Sequence, residues 1–187
     1  AGVKERCGGL LALHIAVGVA GTSLRTVEAL LQHYPKATQE REPSAGLLPL
    51  HLAIGHRMPL PIVRALMRAT PLSYHSWNPG KLGPLHVGAS VCSTAAVLDA
   101  LLEELLAVGV GAKAALWAKN KLGQTPLHCA LSPSTPAAPA QPDVEGWMAT
   151  VSALLGHADK TAAALGESSI LTIVDGEGRT PLHSALW

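Results

Sequence analysis

The sequence predicts an all-α protein, and three observations carry that expectation. First, of 187 residues, Ala and Leu supply 30 each, whereas Val and Ile together supply 18 and Phe is absent. Small and straight-chain apolar residues favour helix, while scarce β-branched and aromatic residues disfavour sandwiches and barrels. Second, one tetrad ending in His recurs along the chain. Third, each of the first four tetrads is followed by a Val and then an apolar pair on the same helical face.

The first helix of each pair starts at the tetrad. The copies are Leu11-Ala12-Leu13-His14, Leu48-Pro49-Leu50-His51, Gly83-Pro84-Leu85-His86, Thr125-Pro126-Leu127-His128 and Thr180-Pro181-Leu182-His183, with histidine spacings of 37, 35, 42 and 55. In the last two copies Thr125 and Thr180 are expected to cap free backbone N–H groups. Pro at the first helical position loses nothing, because its missing N–H would be unsatisfied there anyway. The tetrad Leu is expected to face the core.

The second helix of each pair is marked by Val27…Leu30-Leu31, Val63…Leu66-Met67, Val97…Leu101-Leu102 and Val151…Leu154-Leu155. The third unit carries extra residues after its second helix. The fourth carries more between its helices, the insertion 132–143. There Pro133, Pro136, Pro139 and Pro142 exclude helix and read as an extended, exposed loop. A turn precedes the tetrads: Asn120 to Gln124 and Asp175 to Arg179. Gly46 and Asn78 hold matching slots earlier. Gly supplies positive φ there, and Asn or Asp closes a local side-chain turn.

These residues resemble the ankyrin repeat family. The match is the T-P-L-H-x-A helix start, the preceding turn, and the V-x-x-L-L second helix at a period near 33 residues. The resemblance covers residues 1–187 as one array, with approximate units 6–42, 43–77, 78–119, 120–174 and a partial unit 175–187. It implies a solenoid of stacked antiparallel helix pairs with projecting loops. It also implies that each tetrad His bonds its Thr and the backbone of an adjacent repeat. The function it implies is binding of another protein through loop tips and the concave helix face, with no active site.

Composition agrees with a packed chain: 48% of residues are hydrophobic and 14% charged. Net charge is +1, which gives no global drive toward nucleic acid. Residues 1–121 carry +5 and residues 122–187 carry −4. Cys7, Cys92 and Cys129 are odd in number and lie far apart, so neither a disulfide scaffold nor a zinc ribbon is expected. The run Leu10–Gly21 after Lys4 and Arg6 imitates a leader, but His14 places it in the tetrad series. Ala95–Trp117 is too polar for a membrane span. The sequence therefore predicts an intracellular, cytoplasmic protein without membrane insertion.

Among residues that look chemical, His14, His51, His86, His128 and His183 read as structural, one per repeat. His33, His75 and His157 are expected at helix ends or loops, in solvent. No nucleophile–base arrangement, P-loop or metal-ligand spacing occurs, so no catalysis, cofactor, metal or small-molecule substrate is expected. Arg64 and Arg68 share an outer helix face. Candidate partner-binding residues fall on three loops: Tyr74, Trp77, Asn78 and Lys81; Trp117, Lys119, Asn120, Lys121 and Gln124; and Asp175, Glu177 and Arg179. Trp, Tyr and Arg are the side chains most often found at binding hot spots. Lys81, Lys119 and Lys121 form a basic stripe suited to an acidic partner. With no initial Met and a fifth unit of only a few residues, the sequence also reads as a segment. The alternative function is accordingly a regulatory arm of a larger enzyme or channel, acting in cis.

Overall fold

The computed structural model describes residues 6–7, 10–69, 77–78, 80–91, 94–107, 112–132, 144–166 and 169–186. These are mostly helical. The helices are α1 (Ala12–Gly18), α2 (Leu24–His33), α3 (Pro49–Gly55), α4 (Leu60–Ala69) and α5 (Pro84–Ser90). They continue as α6 (Ala95–Ala107), α7 (Ala112–Leu116), α8 (Pro126–Leu131), α9 (Val144–Leu165) and α10 (Pro181–Ser184). A two-residue antiparallel pair, β1 (Arg6–Cys7) with β2 (Leu10–Leu11), lies outside the all-α expectation. It occupies the place that a hydrogen-bonded loop takes before each later tetrad.

Local chemistry sets the helix starts. Pro stands at the start of α3, α5, α8 and α10, and every tetrad opens on a residue with extended backbone. Helix α2 begins at Ser23, whose hydroxyl accepts from the Thr26 N–H at 3.2 Å. Pro also opens the 3-10 turn Pro35–Gln39 that follows α2.

The helices pack in pairs, α1 with α2, α3 with α4, α5 with α6 and α8 with α9. Neighbouring pairs then stack. Helices α1, α3, α5, α8 and α10 contact one another in sequence, as do α2, α4, α6 and α9. The core follows these two rows. Leu13, Leu50, Leu85 and Leu127 are buried in the first row, and Val27, Val63, Leu66, Met67, Leu98, Leu101, Leu102 and Leu154 in the second. Small residues let the first row approach closely: Ala53, Ala89 and Ala130 are all buried there. Leu182 breaks the expectation that each tetrad Leu faces the core. It is 58% exposed on α10.

The extra residues of the third unit include α7, which packs on α6 and α9. The insertion 132–143 lies outside the described residues except for Ser132. Arg57 adopts positive φ, +52°, and its guanidinium donates to the Val91 carbonyl at 2.8 Å. That bond ties the end of α3 to the end of α5. No helix among the described residues is long and apolar enough to cross a membrane.

Candidate functional site

The tetrad histidines come first, because they set the loops. In all five copies Nδ1 accepts the backbone N–H of the residue three before it: Leu11 at 3.3 Å, Leu48 and Gly83 at 3.4 Å, Thr125 and Thr180 at 3.2 Å. A nitrogen that accepts an N–H carries no proton, so the ring proton sits on Nε2. In three of the copies it is donated onward to backbone at or just before the next loop. His14 donates to Glu40 O at 3.0 Å, His86 to Ala118 O at 3.1 Å and Gln124 O at 3.2 Å, and His128 to Arg179 O at 3.0 Å. The threonine hydroxyls depart from the expected capping role. Thr125 Oγ1 lies 2.8 Å from His128 Nδ1, and Thr180 Oγ1 lies 2.7 Å from His183 Nδ1. Each hydroxyl donates its proton to the ring nitrogen that also accepts the threonine's own backbone N–H.

Burial disfavours the charged imidazolium and outweighs these carbonyl contacts. It lowers the pKa of His86 to about 4, and that of His128 falls in the same direction. Both rings are therefore neutral struts at neutral pH.

Each strut reaches toward a loop, and the loops share one construction. A side-chain oxygen at the loop start accepts backbone N–H groups of the same loop. Asn78 Oδ1 accepts Leu82 N–H at 2.8 Å; Asn120 Oδ1 accepts Leu122 and Gln124 N–H, both at 2.9 Å. Asp175 Oδ1 accepts Glu177 and Arg179 N–H, both at 2.9 Å. Glu42 plays the same part toward Ser44, Ala45 and Leu47. Burial alone would raise the Glu42 pKa, but the Ser44 hydroxyl and three backbone N–H groups bring it down to about 2. Asp175 is lowered likewise: burial opposes the shift, while Arg179 and the loop N–H groups overcome it.

Each loop also needs one left-handed residue. Gly46, Gly123 and Gly178 take φ of +67°, +74° and +79°, and in the remaining loop Lys81 takes +53°. Neighbouring tips are then joined by backbone. Lys121 N–H donates to Gly80 O at 3.1 Å, and Gly176 N–H donates to Leu122 O at 2.9 Å. Arg41 adds a side-chain link, donating to Trp77 O at 2.9 Å. The result is a ladder of four tips along one edge.

The expected site residues divide on this ladder. Asn120 and Asp175 are buried, and Asn78 is half-buried; all three are anchors whose oxygens serve the loop itself. Lys119 is exposed but donates to Val174 O at 2.7 Å, bracing one unit against the next. Arg179 is held by Asp175 at 2.9 Å and by Glu177 at 3.0 Å. Trp117 and Gln124 are half-buried, Trp117 against the core. Trp77 packs on the His86 ring, centroids 5.7 Å apart, yet stays 41% exposed. Lys81, Lys121 and Glu177 are exposed. Tyr74 and His75 lie outside the described residues.

Sequence reasoning missed Leu122, which is 66% exposed at the tip between Lys121 and Gly123. An apolar residue inside a turn of otherwise polar and glycine positions was the available clue. One other expectation changes. His157 sits within α9, not at a helix end, and its Nε2 lies 2.9 Å from Asp99 Oδ1 on α6. His33 does end α2 and is exposed. Arg64 and Arg68 are exposed on α4 and line a shallow groove of about 640 Å³ against Leu24, Glu28 and Leu31 of α2. Cys129 is buried, and burial pushes its thiol up to about 12. Among the described residues no three His, Cys, Asp or Glu side chains are grouped as metal ligands.

No protein-family model matches this chain, and no curated protein matches it.

Proposed function

We propose that the chain is an ankyrin-type repeat array that acts as a non-catalytic scaffold for another protein, with the loop tips and the adjoining helix face as the binding surface. The observation that supports it is the edge on which Trp77, Lys81, Lys121 and Leu122 stand exposed from tips whose backbones are already satisfied. Preorganised loops of this kind lose little entropy on binding. The partner that suits this edge is an acidic segment with an apolar side chain for Trp77 and Leu122. Residues 43–98 contain no acidic side chain, so nothing in that stretch repels such a segment. An intracellular, cytoplasmic setting belongs to the same reading.

The test is crosslinking capture with paired variants. Lys81→Glu with Lys121→Glu should lose the captured protein at an unchanged melting temperature. Arg64→Glu with Arg68→Glu, on the α4 groove, should keep it. The opposite pattern moves the binding surface to that groove and removes the loop-tip reading.

A further inference from the structure

Of the 14 Lys and Arg side chains, one alone has a Ser or Thr three places further on: Arg41, followed by Glu42, Pro43 and Ser44. The fold sets this run on the first loop tip. Arg41, Pro43, Ser44 and Ala45 are exposed, and residues 43–45 form the turn between Glu42 and Gly46. An arginine shortly before an exposed serine is a charge pattern that a broad class of serine/threonine protein kinases selects, through acidic side chains that take the guanidinium.

The surroundings of Ser44 make its charge state matter. Its hydroxyl and its N–H both donate to Glu42 Oε2, the N–H at 2.6 Å. The N–H groups of Ala45 and Leu47 donate to the other carboxylate oxygen. Glu42 is 5% exposed, and with its pKa at about 2 it is ionised at neutral pH. Arg41 ties the same loop to the second tip. It donates to Gly46 O at 2.7 Å through Nη1 and to Trp77 O at 2.9 Å through Nη2. Ser44 is thus bonded to a buried anion, in a loop that a cation holds to its neighbour through neutral carbonyls.

We propose that Ser44 is a phosphorylation site, and that its phosphoryl group releases the first tip from the second. In the transfer, Ser44 Oγ bonds to the γ-phosphorus of ATP while the bond from that phosphorus to the β–γ bridging oxygen breaks. ADP leaves, and the hydroxyl proton passes to the base of the kinase. The hydroxyl then no longer donates to Glu42, and about −2 of charge stands beside a carboxylate that takes up no proton at neutral pH. Repulsion parts the two anions and loosens the N–H groups anchored on Glu42. The phosphoryl oxygens also offer Arg41 charge-assisted bonds, about twice as strong as those to neutral carbonyls. The guanidinium accordingly leaves Trp77 O. The later tips have no such release, because backbone joins them, Lys121 N–H to Gly80 O and Gly176 N–H to Leu122 O. This inference concerns regulation of the array and does not depend on what the tips bind.

The test treats the full chain with ATP and a protein kinase that selects arginine three residues before its acceptor. Mass spectrometry should place a phosphoryl group on Ser44. Ser44→Ala should remove it, and Arg41→Ala should slow its addition about tenfold, as expected for loss of one charge-assisted contact. Both variants should keep wild-type circular dichroism, since both side chains are exposed. In the phosphorylated chain, amide hydrogen exchange should quicken over Glu42 to Leu47 and over Asn78 to Leu82, and stay unchanged over Asn120 to Gln124. Two results overturn the proposal. One is a folded chain left unmodified at Ser44 by a kinase that is active on its control peptide. The other is a phosphorylated chain whose exchange is unchanged over either of the first two segments.

Discussion

His128 Nε2 donates to the backbone oxygen of Arg179 at 3.0 Å, across 51 residues of sequence. The same ring accepts the N–H of Thr125 at its other nitrogen. One neutral imidazole thus ends a helix start in its own unit and a loop in the next. His128→Ala leaves the buried Thr125 N–H without a partner, worth about 1–3 kcal/mol, while the Arg179 carbonyl keeps the Asp175 N–H. We expect a loss of about 1–3 kcal/mol, read from the urea midpoint at constant m-value. His183→Ala, at an exposed ring, should cost less than about 1 kcal/mol. Equal losses would show that the forward bond contributes nothing.

Acid should loosen the array before the carboxylates titrate. Folding depresses the His86 pKa from 6.5 to about 4, so the unfolded chain binds the extra proton. Its contribution is complete above pH 6.5 and is lost as pH falls toward 4, on the order of 3 kcal/mol from this ring. His128 acts in the same direction. Glu42, held near pKa 2, and Asp175 then add their own losses below about pH 4.5. Urea titrations at successive pH values should show the decline starting near 6.5. His86→Gln should flatten that first phase, and an unchanged slope would refute the assignment.

Gly123 and Gly178 both have positive φ, but only one is crowded. A Cβ on Gly123 would stand 2.5 Å from the Gly176 nitrogen, whereas one on Gly178 meets nothing within 4 Å. Gly178→Ala should therefore cost only the backbone strain, about 1–2 kcal/mol. Gly123→Ala should cost clearly more, because it also pushes apart the tips joined by Gly176 N–H and Leu122 O. Thermal melts of the two variants side by side decide this.

Cys129 should resist alkylation in the folded protein. Its thiol is buried and its pKa stands at about 12, so almost no thiolate forms at pH 8. Site-resolved mass spectrometry after iodoacetamide should find Cys129 unmodified in buffer and modified in urea. Rapid native labelling would mean that α8 opens readily.

The helix pairs and the loop starts were legible because they are local. Pro after an extended residue, and Val with an apolar pair one turn on, each act within a few residues. The Asn and Asp anchors were legible for the same reason. Glu42 was not, because its loop closes on Leu47 rather than one residue earlier, and the longer side chain spans the longer turn. Lys81 in a left-handed slot could not be read either, since Gly80 stands beside it and is the residue that sequence favours. Asp99 with His157, and Lys119 with Val174, are 58 and 55 residues apart, and only the stacking brings them together. The candidate site was least legible, because at a tip the same polar residue types serve as anchor and as exposed contact.

Donors cross the later junctions in both directions. His86 and His128 reach forward to carbonyls of the next loop, while Lys121 and Gly176 N–H groups reach back to the previous tip. Such cross-links lie side by side at each junction but in series along the stack. Tension applied between the chain ends would therefore be borne by every junction equally and released at one junction at a time. Single-molecule extension should record a sawtooth of discrete steps, and the first step should fall at the junction with the fewest crossing donors.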